Sequence, residues 1–347
     1  SHADVPVGDV FVHGSGECDQ LGLGDSQRER KKPTLVRGLS GIKIHDVAVG
    51  ALHVLCLTVQ GQIYSWGCND DGALGRPTDD SDCEPRLALL PAGTLIKKAS
   101  CGDCHSCALD SLGRVWLWGT YKDSNGHIGI ARKRKQDPVF EKSAEPVVVL
   151  EGCTQISSGE NHTVALAPAS QRPAGAVVFS WGSNGTGQLG LQNKAGCGYD
   201  EKEVLASEAM QKLKARQGGG TEVEGLRVTR FIDRSGAHID ATTMTLADVE
   251  RALAFGAHAL MLEIPEREVP KAEKQALLHP QEMHLQEVTG TVTGVHTSNE
   301  CTFVTVAEGG IYGCGLNGDG QVGLGFASMA VTTLRSLVGV AGATWLG

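Results

Sequence analysis

The chain has 347 residues, a formal net charge of −9 and an apolar fraction of 41%. That balance argues against a globally nucleic-acid-binding surface. No apolar run reaches the ~18 residues a bilayer-spanning helix needs, and the first residues lack a signal-peptide core. The 46 glycines carry no Gly-X-Y period, so they read as tight turns rather than a fibre. The 11 cysteines sit mostly among Val, Ala and Leu, as small reduced core residues of an intracellular protein rather than a disulfide frame.

In chain order, a first unit runs from Val10 to about Gln60, with the loop SGECDQLGLG (15–24) and then RERKKPTLV, where Pro33 suits an edge or turn. Across its end and the start of the next unit runs VAVGALHVLCLTVQGQIYSWGCNDDGALG (47–75): two β-rich runs joined at Gln60-Gly61, which read as a hairpin. A second unit spans Ile63 to about Leu112. The third begins at Arg114 and reaches Trp118-Gly119, followed by the long loop TYKDSNGHIGI (120–130). There Asp123, Ser124, Asn125 and Gly126 specify a tight turn, expected at the tip of a protruding hairpin flanked by Tyr121 and Ile128. The fourth starts at Val177–Gly182 and is interrupted soon after Leu191.

Residues 192–287 leave the pattern. The sequence predicts helices over Val204–Arg216, Thr245–Phe255 (from a capping-box-like start) and Pro270–Leu278, with strands over Leu226–Asp233 and Ala259–Ile264. This is a non-repeat insertion of α/β character or a badly degenerated blade. The repeat signals return at Val288, and 288–347 ends mid-repeat.

The glycine that ends each second strand falls at Gly14, Gly67, Gly119, Gly182 and Gly315, the first three spaced by a little over fifty residues. Gly-x-x-His precedes it at Gly50–His53, Gly102–His105 and Gly159–His162, and the next copy reads Ser298–Cys301. Two hairpins per period of about this length are the signature of a β-propeller blade. The fold class is therefore all-β: a propeller with about five blade repeats visible over 8–191 and 288–347, carrying the α/β insertion.

Recurrence at one repeat position gives His53, His105 and His162 a structural duty, such as holding a neighbouring loop, rather than catalysis. Cys101, Cys104 and Cys107 have zinc-like spacing, but thiols at alternating strand positions do not converge, so no metal is expected. The basic runs Arg28–Lys32 and Arg132–Lys135 are solvated loop charge or phosphate-contacting patches. No Ser-His-Asp order, P-loop or nucleotide fingerprint occurs, so neither a cofactor nor covalent chemistry is expected.

Three stretches carry a more specific likeness: QLGLGDSQRERKKPTLV (20–36), WGCNDDGALGR (66–76) and WGTYKDSNGHIGI (118–130). Through them the chain resembles the regulator of chromosome condensation family, chromatin-bound guanine nucleotide exchange factors for the Ran GTPase. The resemblance implies a seven-bladed propeller with a β-wedge, here Tyr121, Lys122, Asp123, Ser124, Asn125, Gly126 and His127, pressed against the nucleotide-binding region of Ran. It also implies a Ran-facing surface containing Asp103, Glu160 and Asn161. Asn161 stands where the family has an Asp, and the carboxylate lies one residue earlier, at Glu160. Ran, and histones or chromatin DNA, are the implied partners of a nuclear, chromatin-associated monomer in nucleocytoplasmic transport and the cell cycle. The alternative from another class is a non-catalytic interaction propeller, an adaptor or scaffold domain.

Overall fold

Alternating apolar runs closed by glycine turns give short antiparallel strands, and their pairing follows the repeat. The computed structural model describes residues 6–24, 28–78, 81–123, 126–130, 141–191, 200–205, 222–223, 226–233, 238–240, 246–255, 257–264 and 277–337. Strands β1 (Phe11–Ser15) and β2 (Glu29–Leu35) form a two-stranded sheet. A four-stranded sheet follows, in the order β3 (Ile44–Val49), β4 (His53–Thr58), β5 (Ile63–Gly67) and β6 (Asp82–Leu87). The next is built from β7 (Ile96–Cys101), β8 (His105–Asp110), β9 (Val115–Gly119) and β12 (Ser143–Leu150). Between β9 and β12 the chain inserts a separate hairpin, β10 (Tyr121–Asp123) and β11 (Gly126–Gly129).

The following sheet contains β13 (Gln155–Ser158), β14 (His162–Pro168) and β15 (Ala176–Gly182). Its fourth strand is β21 (Leu277–Glu282), paired with β15 across the whole non-repeat segment. This corrects two expectations. Leu277 and Leu278, assigned to the end of a helix, begin a strand, and the repeat sheet resumes before Val288. The last sheet is β22 (Val292–Ser298), β23 (Cys301–Val306), β24 (Ile311–Leu316) and β25 (Ala330–Ser336).

The insertion holds its own antiparallel sheet, in the order β16 (Asp200–Leu205), β20 (Ala257–Ile264), β18 (Leu226–Asp233), β17 (Glu222–Val223), with β19 (His238–Asp240) also on β18. A single described helix, α1 (Leu246–Phe255), precedes β20. The strands expected over Leu226–Asp233 and Ala259–Ile264 and the helix ending at Phe255 form. Val204 and Leu205 are strand rather than helix, and the rest of Val204–Arg216 lies outside the described residues.

The inner strands β3, β7, β13 and β22 of successive sheets pack side by side, which makes the repeat sheets the blades of a β-propeller. Three tryptophans, Trp66, Trp118 and Trp181, are fully buried between them. Trp66 Nε1 donates to the Gln20 carbonyl at 3.0 Å and Trp118 Nε1 to the Ala73 carbonyl at 2.7 Å, each reaching the loop of the preceding blade. The histidines do the same in the opposite direction. His53 Nε2 bonds Ser106 Oγ at 2.9 Å, His105 Nε2 bonds Thr163 Oγ1 at 3.0 Å, and His162 Nε2 bonds Thr302 Oγ1 at 3.0 Å. Burial lowers the pKa of His53 to about 4 and of His162 to about 3, and holds His105 well below its ordinary value. These rings are neutral rivets between blades.

The glycine of the Gly-x-x-His step is dictated by that ring. A Cβ on Gly102 would lie 2.1 Å from His105 Cε1 and 2.6 Å from the Gly159 carbonyl. Nothing larger fits where the blades meet.

Candidate functional site

Two features on the loops between strands within these blades form the candidate site. The first is the hairpin of β10 and β11, and its origin is local. Two residues after the strand-ending glycine, three blades place an asparagine that folds the loop compactly. Asn69 Oδ1 accepts from the Leu74 N–H, Asn184 Oδ1 from the Leu189 N–H and Asn317 Oδ1 from the Val322 N–H, each at 3.0 Å. In the third blade the residue after Gly119-Thr120 is Tyr121. Its ring is fully buried, lies 4.5 Å from the His105 ring, and its hydroxyl meets Thr163 Oγ1 at 3.0 Å. Here the loop is not folded around an asparagine and pairs with itself as strands.

The hairpin register is Tyr121 with Gly129, Lys122 with His127 and Asp123 with Gly126, with an irregularity after Tyr121. Burial decreases along it, from Tyr121 and Gly129 at the base to exposed Asp123 and Gly126. Ser124 and Asn125, expected at the tip, lie outside the described residues.

Three side chains fix the hairpin to its neighbours. Asn161 Oδ1 accepts from the backbone N–H of Lys122 at 2.7 Å. Asp71, in the loop after β5, accepts from Lys122 Nζ at 2.7 Å and from His127 Nε2 at 2.7 Å. Glu141, ahead of β12, receives His127 Nδ1 at 2.6 Å. Burial opposes ionisation of Asp71, yet hydrogen bonds from Lys122, Cys104 and His127 hold its carboxyl below the usual range. Hydrogen bonds to Glu141 and Asp71 raise His127 above its ordinary value.

The second feature is acidic. The turns between the first two strands of four successive blades enclose a cavity of about 350 Å³ lined by Gly50, Asp103, Gly159, Glu160, Ser298 and Asn299, among others. Asp103 and Glu160 occupy the same repeat position, and the Asp103 N–H donates to the Glu160 carbonyl at 2.9 Å. Burial raises the pKa of both. The neighbouring charges of Asp103 and Glu300 push Glu160 up further, and burial raises Glu300 as well. Like charges crowded on one rim are costly unless a cation or a basic surface meets them.

The structure thus brings Asp103 and Glu160 together and ties Asn161 to them, since its Nδ2 donates to Glu160 Oε1 at 3.4 Å while its Oδ1 serves the hairpin. Asn161 faces the hairpin base, and Glu160 does not take its place. Asp71, Glu141 and Glu300 were missed by the sequence reading. The doubled acid in Asn69-Asp70-Asp71-Gly72 was the one signal for Asp71.

Among the described residues no three His, Cys, Asp or Glu side chains converge to hold a metal ion. The Cys104 thiol is pushed up to about 12 by burial and by Asp71, which keeps it protonated beside that carboxylate. No described helix is long and apolar enough to cross a membrane.

A blade repeat with Gly-x-x-His rivets, and one loop replaced by a braced hairpin, defines a particular class of propeller. The sequence matches the RCC1-like domain over residues 9–239, and the chain belongs to that family. It is 39% identical over 198 residues to the Regulator of chromosome condensation of Drosophila melanogaster, covering 54% of this chain and 33% of that protein. It is 33% identical over 183 residues to the Probable E3 ubiquitin-protein ligase HERC4 of Rattus norvegicus, covering 52% of this chain and 16% of that one. Among solved structures it is similar to Prp20p from Saccharomyces cerevisiae, with a TM-score of 0.40 and 19% identity over 96% of this chain and 86% of that one. The matched region is about a third of the fly protein's length.

Proposed function

We propose that this chain is a guanine nucleotide exchange factor for the Ran GTPase, acting through the hairpin 121–129 as a wedge. The observation that carries the reading is the replacement of one compact, asparagine-folded blade loop by a hairpin whose base is buried and whose end is exposed. A GTPase holds its nucleotide through a backbone nest and a Mg²⁺ ion. The exposed hairpin end, where Asp123 pairs with Gly126, can approach such backbone closely. The rim of Asp103, Glu160 and Glu300 complements a basic partner surface and speeds its encounter. No covalent step is involved. Exchange follows from binding the nucleotide-free GTPase better than the loaded one, and only that difference shifts the equilibrium. A nuclear, chromatin-associated location and histone or DNA contacts belong to the same reading.

The test is a pair of affinities. Nucleotide-free Ran should bind at least ~100-fold more tightly than GDP-loaded Ran. Equal affinities would refute exchange and favour the second reading, an interaction propeller without exchange activity. Asn161, an amide engaged with the hairpin backbone rather than a carboxylate, is the observation on that side.

A further inference from the structure

The hairpin leaves the blade at a bulge, so its angle depends on what grips it from outside. Three grips are present, and Asn161 is a neutral one. The other two converge on one ring. His127 has a carboxylate oxygen at each nitrogen: Asp71 Oδ1 at Nε2, 2.7 Å, and Glu141 Oε1 at Nδ1, 2.6 Å. A neutral imidazole carries a single N–H and can satisfy one of these acceptors only, whereas the imidazolium satisfies both. Asp71 spends its second oxygen on Lys122 Nζ, the register partner of His127 on the opposite strand. One carboxylate therefore clasps both strands of the hairpin, and its side chain is only 12% exposed.

The charged groups facing His127 come from three places. Asp71 lies on the loop after β5, Glu141 precedes β12, and Lys122 is on the hairpin itself. The first two favour the imidazolium and Lys122 opposes it.

We infer that Asp71 is a positioning residue for the wedge, clasping Lys122 and protonated His127 so that the hairpin stands at one angle, and that this clasp opens when His127 loses its proton. The inference rests on the proposed exchange function and names its regulation by proton concentration. The sign follows from the geometry. A histidine whose pKa is raised on folding contributes its hold fully below about 6.5, and loses it as pH rises through the higher folded value. The brace is therefore closed in mildly acidic solution and opens on the alkaline side.

Two measurements on the full chain test it. The first follows the His127 Cε1–H resonance against pH in the unaltered protein, in Asp71→Asn and in Glu141→Gln. The expected result is a midpoint above 6.5 that falls toward 6.5 in each variant. A midpoint at or below 6.5, or one that Asp71→Asn leaves in place, overturns the brace. The second measures GDP release from Ran across the same pH range for the unaltered chain, Asp71→Asn, Asp71→Glu and His127→Gln. The rate ratio of the unaltered chain to His127→Gln should fall about three- to tenfold through the His127 midpoint, as roughly one positioning contact is lost. The slope should vanish in Asp71→Asn and return in Asp71→Glu. A ratio flat with pH, beside a confirmed titration, overturns the positioning role. Absence of release by every form sinks the exchange function and the positioning role with it, while the resonance still decides whether the clasp exists.

Discussion

Arg76 lies at the end of the loop that carries Asp71, and removing its partner is the sharpest test of how the blade is held. The guanidinium is buried, with 7% of its side chain exposed, and pairs with Asp82, which is 9% exposed. It also donates to Ser65 Oγ at 2.6 Å, to the Ser65 carbonyl at 3.1 Å and to the Arg86 carbonyl at 3.2 Å. Asp82→Ala leaves those neutral acceptors in place but strands a buried cation, since Arg86 adds positive charge alongside rather than relief. Breaking a buried pair from one side costs about 3–5 kcal/mol. The neutral acceptors that remain place this case near the lower end, at about 3 kcal/mol. Arg86 itself, 65% exposed and 3.6 Å from Asp82, is a surface partner, so Arg86→Ala should cost about 0.5 kcal/mol. Urea unfolding followed by tryptophan fluorescence reads both, as a midpoint shift at unchanged slope. An Asp82→Ala loss below about 1 kcal/mol would refute the argument that this ion pair supports the loop.

Three further outcomes follow from the same chemistry. His53, His105 and His162 stay neutral when folded, with pKa values lowered below the unfolded value near 6.5. Stability is therefore intact above that pH and is lost as pH falls, by up to ~1.4 kcal/mol per pH unit for each ring. His162→Asn should flatten the slope of stability between about pH 6 and 4 by that amount, and an unchanged slope would contradict the assignment. Glu160 has its pKa raised by burial and by Asp103 and Glu300, so its ionised form opposes folding. Glu160→Gln should stabilise by about 0.5 kcal/mol at neutral pH after solvent screening, with the gain fading below the carboxylate range. Calorimetry at two pH values checks the sign. Asn161→Ala should lower exchange on Ran roughly tenfold by freeing the hairpin base, whereas Asn161→Asp keeps an acceptor for the Lys122 N–H and should retain exchange.

How far the sequence discloses these features depends on whether a signal is local. Blade strands, strand-ending glycines and the helix ending at Phe255 are written in short-range patterns, and they form where those patterns lie. The hairpin over 121–129 is legible for the same reason, because Asp123, Ser124, Asn125 and Gly126 specify a turn among strand-forming neighbours. Strand Leu277–Glu282 is not. Its partner β15 is far upstream, and Leu-Leu-His-Pro-Gln-Glu has neither alternation nor a glycine turn to mark it. The brace is illegible in another way. Asp71 is 51 residues from Lys122 and 56 from His127, and only the packing of adjacent blades brings them together. Asn161 reads as a missing carboxylate in the linear pattern. In the fold its amide is an acceptor for the hairpin backbone, a role that depends on β10 being where it is.

Exchange by this chain depends on the wedge. Release of fluorescent GDP from Ran should be compared for this chain and for a variant carrying Asp123→Ala with Asn125→Ala, with matched thermal stability as the control for folding. The expected result is accelerated release by the chain and its loss in the variant. Acceleration that survives the double substitution would contradict the wedge, and no acceleration by either would contradict exchange itself.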